Sequence, residues 1–204
     1  MTAPREQTGP GERRGPDRQG GPGGQSGPGV QIGLGHQGGP GKQSEPGKQG
    51  ESTPLDTNGL TLRAMTIEDL PVVLRFEHAL FGAQAWSEQM ILEELADPLT
   101  RWYIVAQVDG AIAGYAGLAA FGDEAHVMTI GTDPELQGRG IGRAMLRALL
   151  DEAERRGAKQ VILEVRVDNV PAIAMYRSEG FETVGVRKRY YQPENVDAAV
   201  MIRG

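Results

Sequence analysis

Apolar and polar positions change rhythm several times between Leu60 and Arg203, and each change marks an element. Leu60–Met65 reads as a strand. Thr66-Ile67-Glu68-Asp69 has the spacing of a capping box and opens a helix that runs to about Phe81. Ser87 caps a second helix, Glu88–Leu95, which Asp97-Pro98 stops. Arg101–Val108 and Ala111–Phe121 flank Asp109-Gly110, the strongest short signal of a hairpin. Ala125–Gly131 is another strand. In Gly140–Arg156 the residues Ile141, Met145, Leu146, Leu149 and Leu150 recur on one side of a long helix that Gly157 ends. Gln160–Val167 is mostly apolar, as an interior strand is. Asn169–Glu179 is a helix closed by Gly180, and Phe181–Arg187 and Ala198–Arg203 are final strands. The order β-α-α-β-β-β-α-β-α-β-β predicts an α/β (α+β) fold, a mixed and mostly antiparallel sheet with helices on both faces.

The first 52 residues follow no such rhythm. Residues 1–50 hold 16 of the 30 glycines and 7 of the 13 prolines, with few large apolar side chains. Such a segment cannot bury enough surface to offset the ordering of its backbone. Five hexapeptides over residues 21–50 carry glycine third and glutamine fifth. Glycine at positions one and three is the wrong register for collagen, and Val30, Ile32 and Leu34 are too few to stack a solenoid. The expectation is a disordered arm, residues 1–52, ahead of one domain, residues 53–204.

Charge divides in the same place. Residues 51–204 carry fifteen Lys/Arg against twenty-three Asp/Glu, which argues against a nucleic-acid-binding domain. No cysteine is present, so disulfides, thiolate metal sites and a cysteine nucleophile are excluded. No apolar run is long enough to span a bilayer, and no apolar stretch follows the first charges as in a secretory signal. The expectation is a cytoplasmic protein.

The sharpest chemistry lies where a strand runs through a glycine turn into the long helix, from Ile130-Gly131-Thr132 to Gln137-Gly138-Arg139-Gly140-Ile141-Gly142-Arg143. Gly140 and Gly142 let a ligand approach the backbone closely. The open amides of the helix's first turn form an anion site, and Arg139 and Arg143 add positive charge. A pyrophosphate needs this set. The spacing is neither GxGxxG nor GxxxxGKS/T, so the dinucleotide and triphosphatase fingerprints fail. On its own, a glycine turn before a helix is more often just a turn. Farther on, Glu164 interrupts an apolar strand. A buried carboxylate there is either functional or in an ion pair, with Arg166 as the nearest candidate in sequence. Asn169 has the position of a helix cap, and Tyr176 is either a reactive phenol or core. His36, His78 and His126 stand without matching partners and read as structural or solvent-exposed.

Together these stretches resemble the GNAT superfamily of N-acetyltransferases. Gln137-x-x-Gly140-x-Gly142 matches its pyrophosphate loop. Leu163-Glu164-Val165, Asn169, Tyr176 and Gly180-Phe181 match its second signature. Within it, Ala85-Trp86-Ser87-Glu88, Asp123-Glu124-Ala125 and Arg187-Lys188-Arg189-Tyr190-Tyr191 are similar to the ribosomal-protein-alanine acetyltransferase type. The resemblance implies the GNAT fold from Leu60 to Arg203, with acetyl-CoA as co-substrate and no metal. It assigns acetyl-CoA binding to Ile130, Gly131, Thr132, Gly138, Arg139, Gly140, Ile141, Gly142, Arg143 and Asn169. It makes Glu164 the general base and Tyr176 the general acid, with a backbone amide near Ile130 on the acyl oxygen. It implies a protein N-terminus as acceptor, the N-terminal alanine of ribosomal protein S18, with Trp86, Tyr190 and Tyr191 either walling a peptide groove or packed as core. Two alternatives stand beside it: a GNAT enzyme acetylating a small amine, and a non-catalytic acyl-CoA-binding module.

Overall fold

In the computed structural model, which describes Gln31–Gly33 and residues 59–204, the expected order of elements recurs with one addition. Residues 1–30 and 34–58, most of the expected arm, lie outside the described residues, and His36 with them. The elements are β1 (Gln31–Gly33), β2 (Leu60–Ala64), α1 (Leu70–Phe81), α2 (Glu88–Leu95), β3 (Arg101–Val108), β4 (Ala111–Phe121) and β5 (Glu124–Thr132). Then follow α3 (Ile141–Arg155), β6 (Gln160–Arg166), α4 (Val170–Ser178), β7 (Glu182–Tyr191) and β8 (Val196–Arg203). Seven strands lie in the order β2-β3-β4-β5-β6-β8-β7. Every pair along that path is antiparallel except β5 with β6.

Local chemistry explains the ends of the elements. The backbone amide of Thr66 donates to Asp69 Oδ2 at 2.8 Å, the expected capping box, although its turn is 3-10 before α1 begins. Arg63 grips Asp69 at 2.6 and 2.7 Å and holds its carboxyl below the usual range. Ser87 Oγ accepts from the Met90 amide at 3.3 Å at the start of α2. Asp109 and Gly110 both take positive φ, 51° and 82°, as the tight hairpin between β3 and β4 requires. The last hairpin is longer than its sequence suggested, because Lys188 and Arg189 extend an edge strand whose outer side meets water.

Two apolar layers sandwich the sheet. On one face α3 and α4 pack Met145, Leu146, Leu149 and Tyr176 against Leu118, Ile130, Leu163 and Val165. On the other, α1, Trp86 and α2 pack Val73, Phe76 and Ile91 against Tyr103, Val105 and Tyr115. Trp86, 1% exposed, is therefore core and walls no groove; Tyr191 is buried as well, and Tyr190 is half-buried against it.

The sheet opens at its centre. Pairing between β5 and β6 is confined to Glu124–His126 against Gln160–Ile162, and beyond it the two strands part. There β1 lies parallel to β5, with Gln31, Ile32 and Gly33 opposite Thr129, Ile130 and Gly131. Three residues of the expected disordered arm are thus a strand. Composition hides them, but Val30-Gln31-Ile32-Gly33-Leu34 alternates apolar positions with a strand's period, and the open edge of β5 offers backbone partners.

Tyrosines lie across glycines on the neighbouring strand. A Cβ on Gly131 would stand 2.4 Å from the ring of Tyr115, its partner on β4. The ring is pinned by its hydroxyl, so Gly131→Ala is expected to cost about 1–3 kcal/mol of stability through overpacking. Urea midpoints of parent and variant decide this; equal midpoints would mean that the ring yields freely. Among the described residues, no helix is long and apolar enough to cross a membrane.

Candidate active site

A cavity of about 450 Å³ lies where β5 hands over to α3 and the start of α4. Its lining comprises Thr132, Gln137, Gly138, Gly140, Ile141, Gly142, Arg143, Pro171 and Met175. The turn is shaped by backbone chemistry. Gly138 and Gly140 take φ of 76° and 89°, a left-handed conformation that costs any residue with a Cβ about 1–2 kcal/mol. Gly140 is the N-cap of α3 and offers no side chain to the helix amides, which leaves them for a ligand. Gln137 Nε2 reaches back to the Thr132 carbonyl at 3.4 Å, tying the turn to the strand end. The hydroxyl of Thr132 is buried beside this cavity without a partner among the described residues.

Six of the ten expected cofactor residues line the cavity. Ile130 and Gly131 lie upstream on β5, at the edge that β1 occupies. Arg139 stands exposed on the turn. Asn169 is 7% exposed, and its Oδ1 accepts from the Ala172 amide at 3.2 Å, which commits its side chain to capping α4. Arg143 bonds the Ser178 hydroxyl at 2.9 Å and shares Glu179 with Arg147, so part of its charge is already met. Pro171 and Met175, which sequence reading did not assign to the site, enter it because α4 docks beside the turn.

Glu164 and Tyr176 lie on opposite sides of β6. Leu163 and Val165 belong to the layer under α3 and α4, so alternation turns Glu164 to the face of α1 and α2. Tyr176 is in the α3/α4 layer, fully buried, edge-on to Phe181 at 5.8 Å. Its hydroxyl has no partner among the described residues, and burial holds its pKa well above the ordinary phenol value. The two residues are not bonded to each other; between the faces they occupy, β5 and β6 stop pairing after His126 and β1 lies on the β5 edge. The ion partner of Glu164 is Arg187, 3.0 Å away, rather than Arg166, which pairs with Asp168 at 3.0 Å. His126 is half-buried, 3.9 Å from Glu124, and His78 is exposed.

A second buried carboxylate escaped the sequence reading. Glu77 on α1 is 0% exposed; it accepts from the Tyr115 hydroxyl at 2.5 Å and from the Trp86 amide at 3.1 Å. Burial pushes its pKa up to about 7. Glu77 stands one turn from Val73 on the buried side of α1, beside Phe76, and nothing in the local sequence announces a carboxylate there.

Comparison with known proteins follows the same geometry. The profile of the acetyltransferase (GNAT) family matches residues 68–181. The chain is 45% identical over 153 residues to the N-alpha-acetyltransferase RimI of Mycobacterium tuberculosis (strain ATCC 25618 / H37Rv), covering 72% of this chain and 94% of that protein. It is 34% identical over 131 residues to the [ribosomal protein bS18]-alanine N-acetyltransferase of Escherichia coli (strain K12), covering 64% of this chain and 86% of that one. The crystal structure of the ribosomal-protein-S18-alanine N-acetyltransferase from Escherichia coli superposes with a TM-score of 0.64 at 33% identity, over 71% of this chain and 92% of that chain.

Proposed function

Since the chain belongs to the acetyltransferase (GNAT) family, we propose that it transfers the acetyl group of acetyl-CoA to the α-amine of a protein N-terminus. The favoured acceptor is the N-terminal alanine of ribosomal protein S18, the substrate named for relatives about a third identical to it over the aligned stretch. The observation that carries the reading is the placement of the two ends of the chemistry. A glycine-built anion cradle and a fully buried phenol lie on one face of the sheet. A buried carboxylate lies on the other, and the strands between them, β5 and β6, stop pairing after His126, where β1 lies on the β5 edge.

In this reading the amides at the start of α3 hold the pyrophosphate, with Arg139 and Arg143 beside it. The β5 backbone from Ile130 to Thr132 lies along the rest of the cofactor, and an amide near Ile130 donates to the acyl oxygen. When bound, acetyl-CoA supplies an activated thioester. Glu164 takes the proton that the amine loses as the C–N bond forms, and the Tyr176 hydroxyl delivers one to the departing sulfur. The buried tyrosine stays protonated, as a donor must. Amine chemistry favours a terminus: near pH 7 about a tenth of α-amines are neutral, against under about a thousandth of lysines.

The test is CoA release with an Ala-start peptide, its N-terminus free or blocked. Turnover that requires the free terminus supports the reading. Turnover of free small amines with none of peptides would replace it, and tight acetyl-CoA binding without any turnover would leave a binding module.

The arm belongs to the proposal as well: residues 53–204 are the catalytic domain, with residues 1–52 appended. Deleting residues 1–52 is expected to leave folding intact and acetyl-CoA binding as tight as the parent's or tighter, because β1 lies on the stretch of β5 along which the cofactor would run. Calorimetric titration checks it, and weaker binding after deletion would show that the arm helps to build the site.

A further inference from the structure

Glu164 and Arg187 form an unequal pair. The carboxylate side chain is 4% exposed and the guanidinium side chain 56%. The anion is buried and the cation reaches it from the surface. Strand register explains the reach. Glu164 pairs with Val200 on β8, and Val200 pairs with Gly185 on β7. Gly185 puts no side chain into that row, so Arg187, two residues along the same face, extends over it to the carboxylate. The other polar groups near by have different engagements. Arg166 pairs with Asp168 at 3.0 Å and Glu194 at 3.8 Å. The Tyr191 hydroxyl donates to the backbone carbonyl of Glu164 at 3.2 Å, and Tyr176 lies on the far face.

We propose that Arg187 determines acceptor specificity by cancelling the charge of Glu164, so that the site takes amines which arrive neutral and prefers terminal α-amines to lysine side chains. This rests on the reading of Glu164 as the base. A bare buried carboxylate attracts any ammonium, whatever its acidity. A carboxylate already matched by a guanidinium does not, and the half-exposed guanidinium repels an approaching cation. Acceptors are then weighted by their neutral fraction, which favours the α-amine by about two orders of magnitude near neutral pH. The proton count closes: the neutral amine attacks the acyl carbon, the C–N bond forms and the C–S bond breaks. The amine proton passes to Glu164 and the sulfur takes one from Tyr176.

Full-length parent, Arg187→Met, Arg187→Gln and Arg187→Lys are compared between pH 6 and 9. The acceptors are an Ala-start peptide containing one lysine and its N-terminally blocked counterpart. For the parent and Arg187→Lys, KM for the free-terminus peptide should fall about tenfold per pH unit below the amine pKa, with the blocked peptide barely used. For Arg187→Met and Arg187→Gln, KM should be nearly flat with pH, and the blocked peptide should gain about tenfold or more in relative kcat/KM. Either uncharged variant suffices if the other does not fold. An unchanged KM slope and an unchanged preference in an uncharged variant overturn the proposal. Full activity in Glu164→Gln would instead remove the base reading beneath it. An inactive Glu164→Gln together with an unmoved slope in Arg187→Met defeats the specificity role alone.

Discussion

Replacing Glu164 by glutamine is expected to lower kcat by about 10²- to 10⁴-fold while acetyl-CoA binding stays at the parent's level. The substitution keeps the shape of the side chain, and its carbonyl can still accept from Arg187, 3.0 Å away from the carboxylate it replaces. What it loses is the ability to take a proton. The cofactor cradle is unaffected, because Thr132, Gly140 and Gly142 line a cavity served by α3 and α4, whereas Glu164 faces the opposite layer. A fall in kcat with an unchanged dissociation constant for acetyl-CoA is thus the signature of a base acting on the acceptor. A variant that retains kcat would assign the proton to water and leave Glu164 a structural ion pair. A variant that loses cofactor binding as well would mean that the sheet had been disturbed.

The largest expected effect on stability comes from Glu77. Its carboxyl titrates near pH 4.5 when exposed and near 7 in the folded protein, because burial disfavours its charge. The folded state therefore keeps a proton that the unfolded state releases. The stability this contributes is complete below pH 4.5 and is lost as pH rises through 7. The linkage amounts to about 3 kcal/mol. Glutamine does not titrate and still offers an oxygen to the Tyr115 hydroxyl or the Trp86 amide. Between pH 5 and pH 8, Glu77→Gln should gain about 2–3 kcal/mol of unfolding free energy relative to the parent. Urea titrations of both proteins at the two pH values measure it. The ion-paired carboxylates Asp69, Glu152 and Glu179 are held low and titrate on the acid side, equally in both proteins, so they cancel. A parent–variant difference that is flat with pH would mean that Glu77 is charged in the fold.

The glycine-lined cavity of the candidate site was legible from the sequence because it is local. A glycine turn, a strand end and a helix start lie within fourteen residues, Ile130 to Arg143, and each carries its signal in residue type and spacing. The hairpin at Asp109-Gly110 was legible for the same reason. The acceptor side was not, because it depends on register across three strands. Nothing in the spacing of Glu164 and Arg187 says that β8 will lie between their strands, with a glycine clearing the way; sequence proximity pointed to Arg166 instead. Trp86 sits in a stretch that resembles peptide-acetylating enzymes, which made a groove wall one of its two readings, but its size and apolar surface took it into the core beside Tyr103. Glu77 occupies a helix position that periodicity assigns to the interior. The packing of α1 on β4 supplies the Tyr115 hydroxyl, and the chain turning back after α1 supplies the Trp86 amide, that make such a carboxylate tolerable.

The short strand β1 lies where the proposed cofactor path runs along β5. If acetyl-CoA uses the β5 edge from Ile130 to Thr132, it and Gln31–Gly33 cannot hold that edge together. The affinity measured for the cofactor is then the intrinsic affinity multiplied by the fraction of molecules with the edge bare. A tethered competitor has an effective concentration set by its tether, not by how much protein is present, so dilution cannot relieve it. Any molecule that draws Gln31–Gly33 off β5 would therefore lower the acetyl-CoA concentration at which the enzyme half-saturates, without touching the site itself.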